Sequence, residues 1–201
     1  YVVGLALAQA RGTKYSDEVA AIFRELESLT PKIEKTLELR EQILELAEEL
    51  GPVRTMLFLG RHVGFPVAME GALKLKELAY IHAEGFAAGE LKHGPIALID
   101  DGQPVFVVMP SPLDRHSLHA KVVSNIQEVR ARGARTFAVA ERGDAAVRGQ
   151  AEVVFEVPET QPMLMPLLTT VPLQIFALEL ATAKGYDVDQ PRNLAKSVTV
   201  E

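Results

Sequence analysis

Four short apolar runs dominate what this chain can fold into. They lie at 55–59, 105–109, 136–140 and 152–157, and three of them stop at Gly60, Pro110 and Pro158. Runs this short and this apolar belong to strands buried on both faces. Stretches of helical period separate them, which predicts a parallel sheet covered by helices on both sides. The expected class is α/β: a doubly wound parallel sheet of flavodoxin-like, three-layer αβα form, flanked by helices, with right-handed crossovers. Ligands in such sheets sit beyond the carboxyl ends of the strands. Segments 60–64, 110–114, 141–144 and 158–162 are therefore expected around any site.

The helices are expected at about 65–82, 114–132 and 163–184, with Gly133 and Gly185 as stops. Upstream, residues 1–9 read as the end of an apolar helix, Ser16-Asp17-Glu18 opens an amphipathic one, and Thr30-Pro31 starts a third that runs to Gly51-Pro52. The apolar stretch 163–183 is interrupted by Pro166, Pro172, Gln174 and Glu179, so a buried helix is expected there rather than a membrane span. The 21 Lys and Arg against 27 Asp and Glu leave a net charge of −6, with no basic excess for a nucleic acid. The absence of cysteine removes disulfides and thiolate chemistry and fits a cytoplasmic location. The chain starts without Met and without a basic leader, and reads as part of something longer.

The helix after the first strand carries the candidate chemistry. At about 100° per residue, Glu70, Lys74, Glu77 and Glu84 share one arc and Ala68, Ala72, Leu75, Leu78 and Ala79 the other. One reading is an exposed salt-bridge ladder worth a few tenths of a kcal/mol per pair. The other is a site, because the helix begins at the carboxyl end of a strand. Next come Gly85, Gly89 and then His93 beside the Gly94-Pro95 turn, which can present the imidazole to a cleft or a neighbouring subunit. His93 with Glu84 and Glu90 fits no standard ligand spacing, so neither metal nor cofactor is expected. Ser111, Ser117 and Ser124 are weak candidates for a phosphate site.

Three blocks then carry a family resemblance: Glu70-Gly71-Ala72-Leu73-Lys74-Leu75-Lys76-Glu77, Tyr80-Ile81-His82-Ala83-Glu84, and Gly89-Glu90-Leu91-Lys92-His93-Gly94-Pro95. With the tail at 187–201, they resemble the isomerase half of the glucosamine-6-phosphate synthases, also called glutamine–fructose-6-phosphate aminotransferases. That family joins a glutaminase domain to two sugar-isomerase (SIS) domains, and this chain resembles the second. The resemblance implies that Glu77 moves a proton between C1 and C2 of the sugar. It implies that Lys74 assists near the reacting oxygen, and that His93 assists ring opening from the partner subunit. Lys196 would form a Schiff base with open-chain fructose 6-phosphate, and Ala195 would be a neighbouring contact. The implied partners are the sugar phosphates fructose 6-phosphate and glucosamine 6-phosphate and a second copy in a homodimer, with no nucleic acid and no membrane.

The residue types suit that chemistry. Shifting a carbonyl from ketose to aldose needs a carboxylate base, and a nearby ammonium keeps the carboxylate ionised and can stabilise an enolate-like oxygen. Lysine suits Schiff-base formation. The domain division expected is 1–52 as the tail of a preceding domain with linker helices, 53–186 as the second sugar-isomerase domain, and 187–201 as a site-closing tail. Without the glutaminase and most of the first sugar-isomerase domain, the chain alone is expected to be inactive. A fructosamine-phosphate deglycase and a non-catalytic phosphosugar-sensing module are the alternatives. The tail 190–201 argues against the first, and the joint presence of Lys74, Glu77 and Lys196 against the second.

Overall fold

The computed structural model describes residues 1–113 and 118–194. Four helices come first: α1 (Val2–Ala10), α2 (Ser16–Glu27), α3 (Leu29–Leu37) and α4 (Arg40–Glu49). The α/β unit follows as β1 (Thr55–Gly60), α5 (Gly64–Lys74), β2 (His82–Ala87), β3 (Pro104–Val108), α6 (His119–Arg130), β4 (Arg135–Glu141), β5 (Val153–Val157) and α7 (Met165–Ala183). All strand pairings are parallel, in the order β2-β1-β3-β4-β5. This is the flavodoxin-like order, whose chain direction reverses between β1 and β3.

The expected sheet class holds, with a fifth strand that the sequence reading missed. Residues 82–87 were expected to end a helix and enter a Gly-weakened stretch; they pair with β1 from Thr55↔His82 to Gly60↔Ala87. The run contains no Val or Ile, so nothing in its composition signals a strand. Gly85 explains why it tolerates a glycine. A Cβ there would lie 2.7 Å from the Met69 Cα, so α5 rests directly on the strand backbone.

Three helix boundaries also differ from expectation. The helix expected over 30–50 is two, separated at Glu38 and Leu39, each in a tight helical turn. The helix expected to reach residue 82 leaves α geometry after Lys74, passes through a π-turn at Leu75–Ala79 and ends at Tyr80. The helix expected from 114 begins, within the described residues, at His119.

A ladder of phenylalanines holds one face. Phe58, Phe106 and Phe137 are register neighbours on adjacent strands, and their rings stack or tilt at 5.3 Å. Phe176 of α7 sits 4.6 Å above Phe106, and Phe155 closes the row. The same layer buries Ile43, Leu46 and Leu50 of α4 and Ala68 and Ala72 of α5. On the other face, Leu57, Leu59, Val105 and Val107 meet Val122, Ile126 and Val129 of α6, and small Ala138 and Ala140 let that helix approach. Helix α7 is long and apolar enough to cross a membrane by length and composition, yet most of it is buried against α4, α5 and the sheet. Its Glu179, 3% exposed, pairs with Arg40 at 2.5 Å.

Candidate active site

A helix that leaves the carboxyl end of a parallel strand runs back toward the amino end. The base of α5 therefore brings Lys74 and Glu77 to the amino edge of the sheet, where Thr55 pairs with His82. These two candidate residues thus lie at the edge opposite the one where the fold class leads a ligand to be expected. Within the π-turn, the Lys74 Nζ donates to Glu77 Oε2 at 2.5 Å and also faces Glu70 Oε1 at 3.6 Å. Both side chains of the closer pair are a little over a quarter exposed. The hydrogen bond to Glu77, then the charge of Glu70, holds the Lys74 ammonium above the usual lysine range, against the opposing effect of burial. Lys74 is thus a persistent positive charge beside the Glu77 carboxylate, not a lysine primed as a nucleophile.

Glu84 does not share that face. It lies on β2, faces His82 Nε2 at 3.2 Å and borders a shallow surface with Met69 and Lys76.

Tyr80 closes the π-turn in a left-handed conformation, φ 54° and ψ 34°, uncommon for a residue with a side chain. The C-terminal segment returns to it. Helix α7 ends in a Schellman turn at Gly185 (φ 74°), with Tyr186 N–H donating to the Ala181 carbonyl and Gly185 N–H to that of Thr182. The Tyr186 ring then packs 4.8 Å from that of Tyr80. Asp187 receives the amides of Asp189 and Gln190, turning the chain. The Arg192 amide donates to the Tyr80 hydroxyl at 2.8 Å and its guanidinium lies 4.0 Å above the ring. Lys76, Glu77, Tyr80, Arg192, Asn193 and Leu194 enclose an open cavity of about 280 Å³. Val188 against the core and Arg192 on Tyr80 anchor the described part of the tail. Ala195 and Lys196 lie outside the described residues, as does Ser117.

His93 is elsewhere. It ends a 3-10 turn (Leu91–His93) past the carboxyl end of β2, exposed, with Nδ1 2.7 Å from Glu90 Oε2. The sheet thus separates His93 from Glu77 within one chain. The positive φ of Gly94, 148°, makes the turn that Pro95 follows.

Of the expected loop segments, 60–64, 110–111 and Pro162 meet at the carboxyl edge, around Arg61, Gly64, Met109, Ser111, Pro162 and Met165, while 141–144 does not line that space. The space they leave is about 30 Å³, about one water's share of liquid volume. Beneath it, Asp144 takes a hydrogen bond from His119 at 2.5 Å and another from the Ala146 amide. Buried Glu141 has one carboxylate oxygen without a partner. Burial pushes its pKa up, and a hydrogen bond from Ser111 partly opposes this.

An open parallel sheet of this order, with an acid–ammonium pair on the first crossover, defines a class. The SIS domain profile matches residues 49–184, and the chain belongs to the SIS-domain family. Its relatives are more particular. The chain is 62% identical over 201 residues to a glutamine–fructose-6-phosphate aminotransferase (isomerizing) of Corynebacterium glutamicum and 63% identical over 201 residues to that of Mycolicibacterium smegmatis. Each match takes in the whole chain but 32% of the relative, so the chain spans about a third of their length. Among solved structures, the C-terminal domain of glucosamine-fructose-6-phosphate aminotransferase from Francisella tularensis superposes with a TM-score of 0.83 at 36% identity, over 92% of this chain and 51% of that one.

Proposed function

We propose that this chain is the isomerase portion of a glutamine–fructose-6-phosphate aminotransferase, working on fructose 6-phosphate and glutamine-derived ammonia to give glucosamine 6-phosphate. The observation that carries this reading is the Glu77 carboxylate held 2.5 Å from the Lys74 ammonium, beside a cavity bordered by the segment that leads to Lys196. In this role Glu77 takes the proton from one carbon of the open-chain sugar and returns it to the next. Lys74 pairs with the carboxylate and faces the oxygen on which negative charge develops. Lys196 binds the open-chain ketose as a Schiff base, and Ala195 contacts it. An exposed His93 on the opposite edge from Glu77 suits ring opening in a neighbouring subunit of a homodimer.

The residue spans proposed for these parts are 1–52 as the end of a preceding domain with linker helices, 53–186 as the second sugar-isomerase domain, and 187–201 as the closing tail. The profile match at 49–184 supports that division. The natural setting of such an enzyme is the cytoplasm.

The test is Glu77→Gln in the complete enzyme carrying glutaminase and both sugar-isomerase domains. Isomerisation should fall while glutamine hydrolysis persists; near-normal isomerisation would remove Glu77, and with it this reading.

A further inference from the structure

The contacts around Tyr80 exceed what is needed to end a helix. Its ring is gripped from two sides by residues of one short segment, Tyr186 at 4.8 Å and Arg192 at 4.0 Å, and its hydroxyl accepts the Arg192 amide. The left-handed backbone at Tyr80 is what turns the ring out of the π-turn and toward that segment. Glu77 precedes it by three positions and borders the same cavity. Between the two grips the chain makes a tight turn on Asp187, so the segment wraps the ring instead of crossing it once.

We propose that Tyr80 is a positioning residue: a latch that fixes the C-terminal segment at Arg192 beside Glu77 and so sets where Lys196 can act. The assignment rests on the reading of Glu77 and Lys196 given above. Lys196 follows Arg192 by four positions, and four residues of extended chain span at most about 14 Å. With Arg192 held at the border of the Glu77 cavity, that length bounds how far from the cavity the chain at position 196 can reach. A free segment would let it sample a far larger volume, with a corresponding loss of effective concentration. Tyr80 itself touches no reacting atom in this scheme. It acts through the segment it holds.

Two measurements test the latch. The first is hydrogen exchange of the Arg192 amide in the 201-residue chain. Tyr80→Phe keeps the stacking and removes the acceptor, so exchange should quicken about three- to tenfold, the effect of one net hydrogen bond. Tyr80→Ala removes both and should quicken it further. Unchanged exchange in both variants overturns the latch, whatever the enzyme does.

The second is steady-state isomerisation by the complete enzyme. Tyr80→Ala should lower kcat about tenfold with KM for fructose 6-phosphate within twofold, and Tyr80→Phe should restore most of it. Faster exchange with kcat unchanged in Tyr80→Ala overturns the positioning role. Should Tyr80→Ala fail to fold, Arg192→Ala removes the guanidinium from the ring while keeping the amide donor, and faster exchange at position 192 with lower kcat is again the expected result, unchanged values the overturning one. Failure of the functional reading is distinguished by Glu77→Gln, which leaves the exchange result standing.

Discussion

The two edges of the sheet are built from the same strands and present different side chains. At the carboxyl edge, the loops after β1 and β3 fold in over Met109, Pro162 and Met165 and leave about 30 Å³ between them, with open clefts of about 310 Å³ beside Arg61 and Lys92 and about 470 Å³ beside Lys32 and Glu159. Polar groups there are committed to one another: His119 to Asp144, Arg61 to Asn125, Ser111 to the Leu113 amide. At the amino edge, a π-turn carries the Glu77 carboxylate and the Lys76 ammonium to the border of an open cavity of about 280 Å³. The general rule for open α/β sheets points to the first edge. In this chain the rule points to the topological crevice, while the Lys74–Glu77 pair proposed for the chemistry lies at the other edge, to which α5 returns it.

Four experiments separate the edges further. Removing residues 192–201 should abolish isomerisation in the complete enzyme while costing the chain little stability. One cation–π contact and one hydrogen bond amount to about 2 kcal/mol at most, or some 4–8 °C in Tm for a chain this long. A larger fall in Tm would make the amino-edge cover a structural element. Glu77→Gln comes next, with an expected loss of about 10²–10⁴-fold in isomerisation rate, the usual worth of a general base.

At the other edge, Gly60→Ala should act on stability. Its Cβ would sit 2.2 Å from the Gly64 carbonyl oxygen, a backbone clash expected to cost about 3 kcal/mol and lower Tm by about 6–12 °C. A variant of wild-type Tm would mean that the carboxyl-edge turn is free to move and could open.

The smallest effect belongs to Glu141. Its carboxyl is held above the ordinary value of 4.5 chiefly by burial, so the folded state keeps the proton longer than the unfolded chain. Its contribution is full below pH 4.5 and is lost as pH rises through the raised folded value. Glu141→Gln lacks this titration. The Tm of the variant minus that of the parent should therefore climb as pH rises from 4 to 7. A flat difference would place Glu141 in contact with solvent and weaken the contrast between a packed edge and an open one.

What was legible in the sequence follows the same division. Strands β1, β3 and β4 announce themselves because both faces are buried and their runs are continuous, and the edge strand β5, half-buried on one face, through Val153, Val154 and Phe155. The end of α7 is legible because Gly185 supplies the positive φ a Schellman turn needs. Strand β2 is not, since Gly85 is chosen for the approach of Met69 and not for strand propensity. The charged face of α5 was read as one helical arc, and Lys74 with Glu77 does stand as a pair three positions apart. Glu84 fell away because the π-turn and Tyr80 end the helix first, and no period-based reading sees an i→i+5 turn coming. Tyr80 and Arg192 are 112 positions apart, with no local pattern connecting them. The family resemblance alone singled out the tail.

The strand pairings also set an order in which the chain can close. Val153 returns to Phe137 after 16 positions, His82 to Thr55 after 27, and Val105 to Leu57 only after 48. Closure entropy grows with loop length, so β4–β5 and the β1–α5–β2 unit are the least costly ladders to form. The platform that bears Glu77 belongs to that early, local unit. The cover does not: the bond from Arg192 to Tyr80 spans 112 positions and waits for α7 to dock. On heating the sequence runs backwards, and protection at Arg192 should vanish well before protection in β1. The contact that holds Arg192 is then lost while the strands that carry Glu77 are still paired.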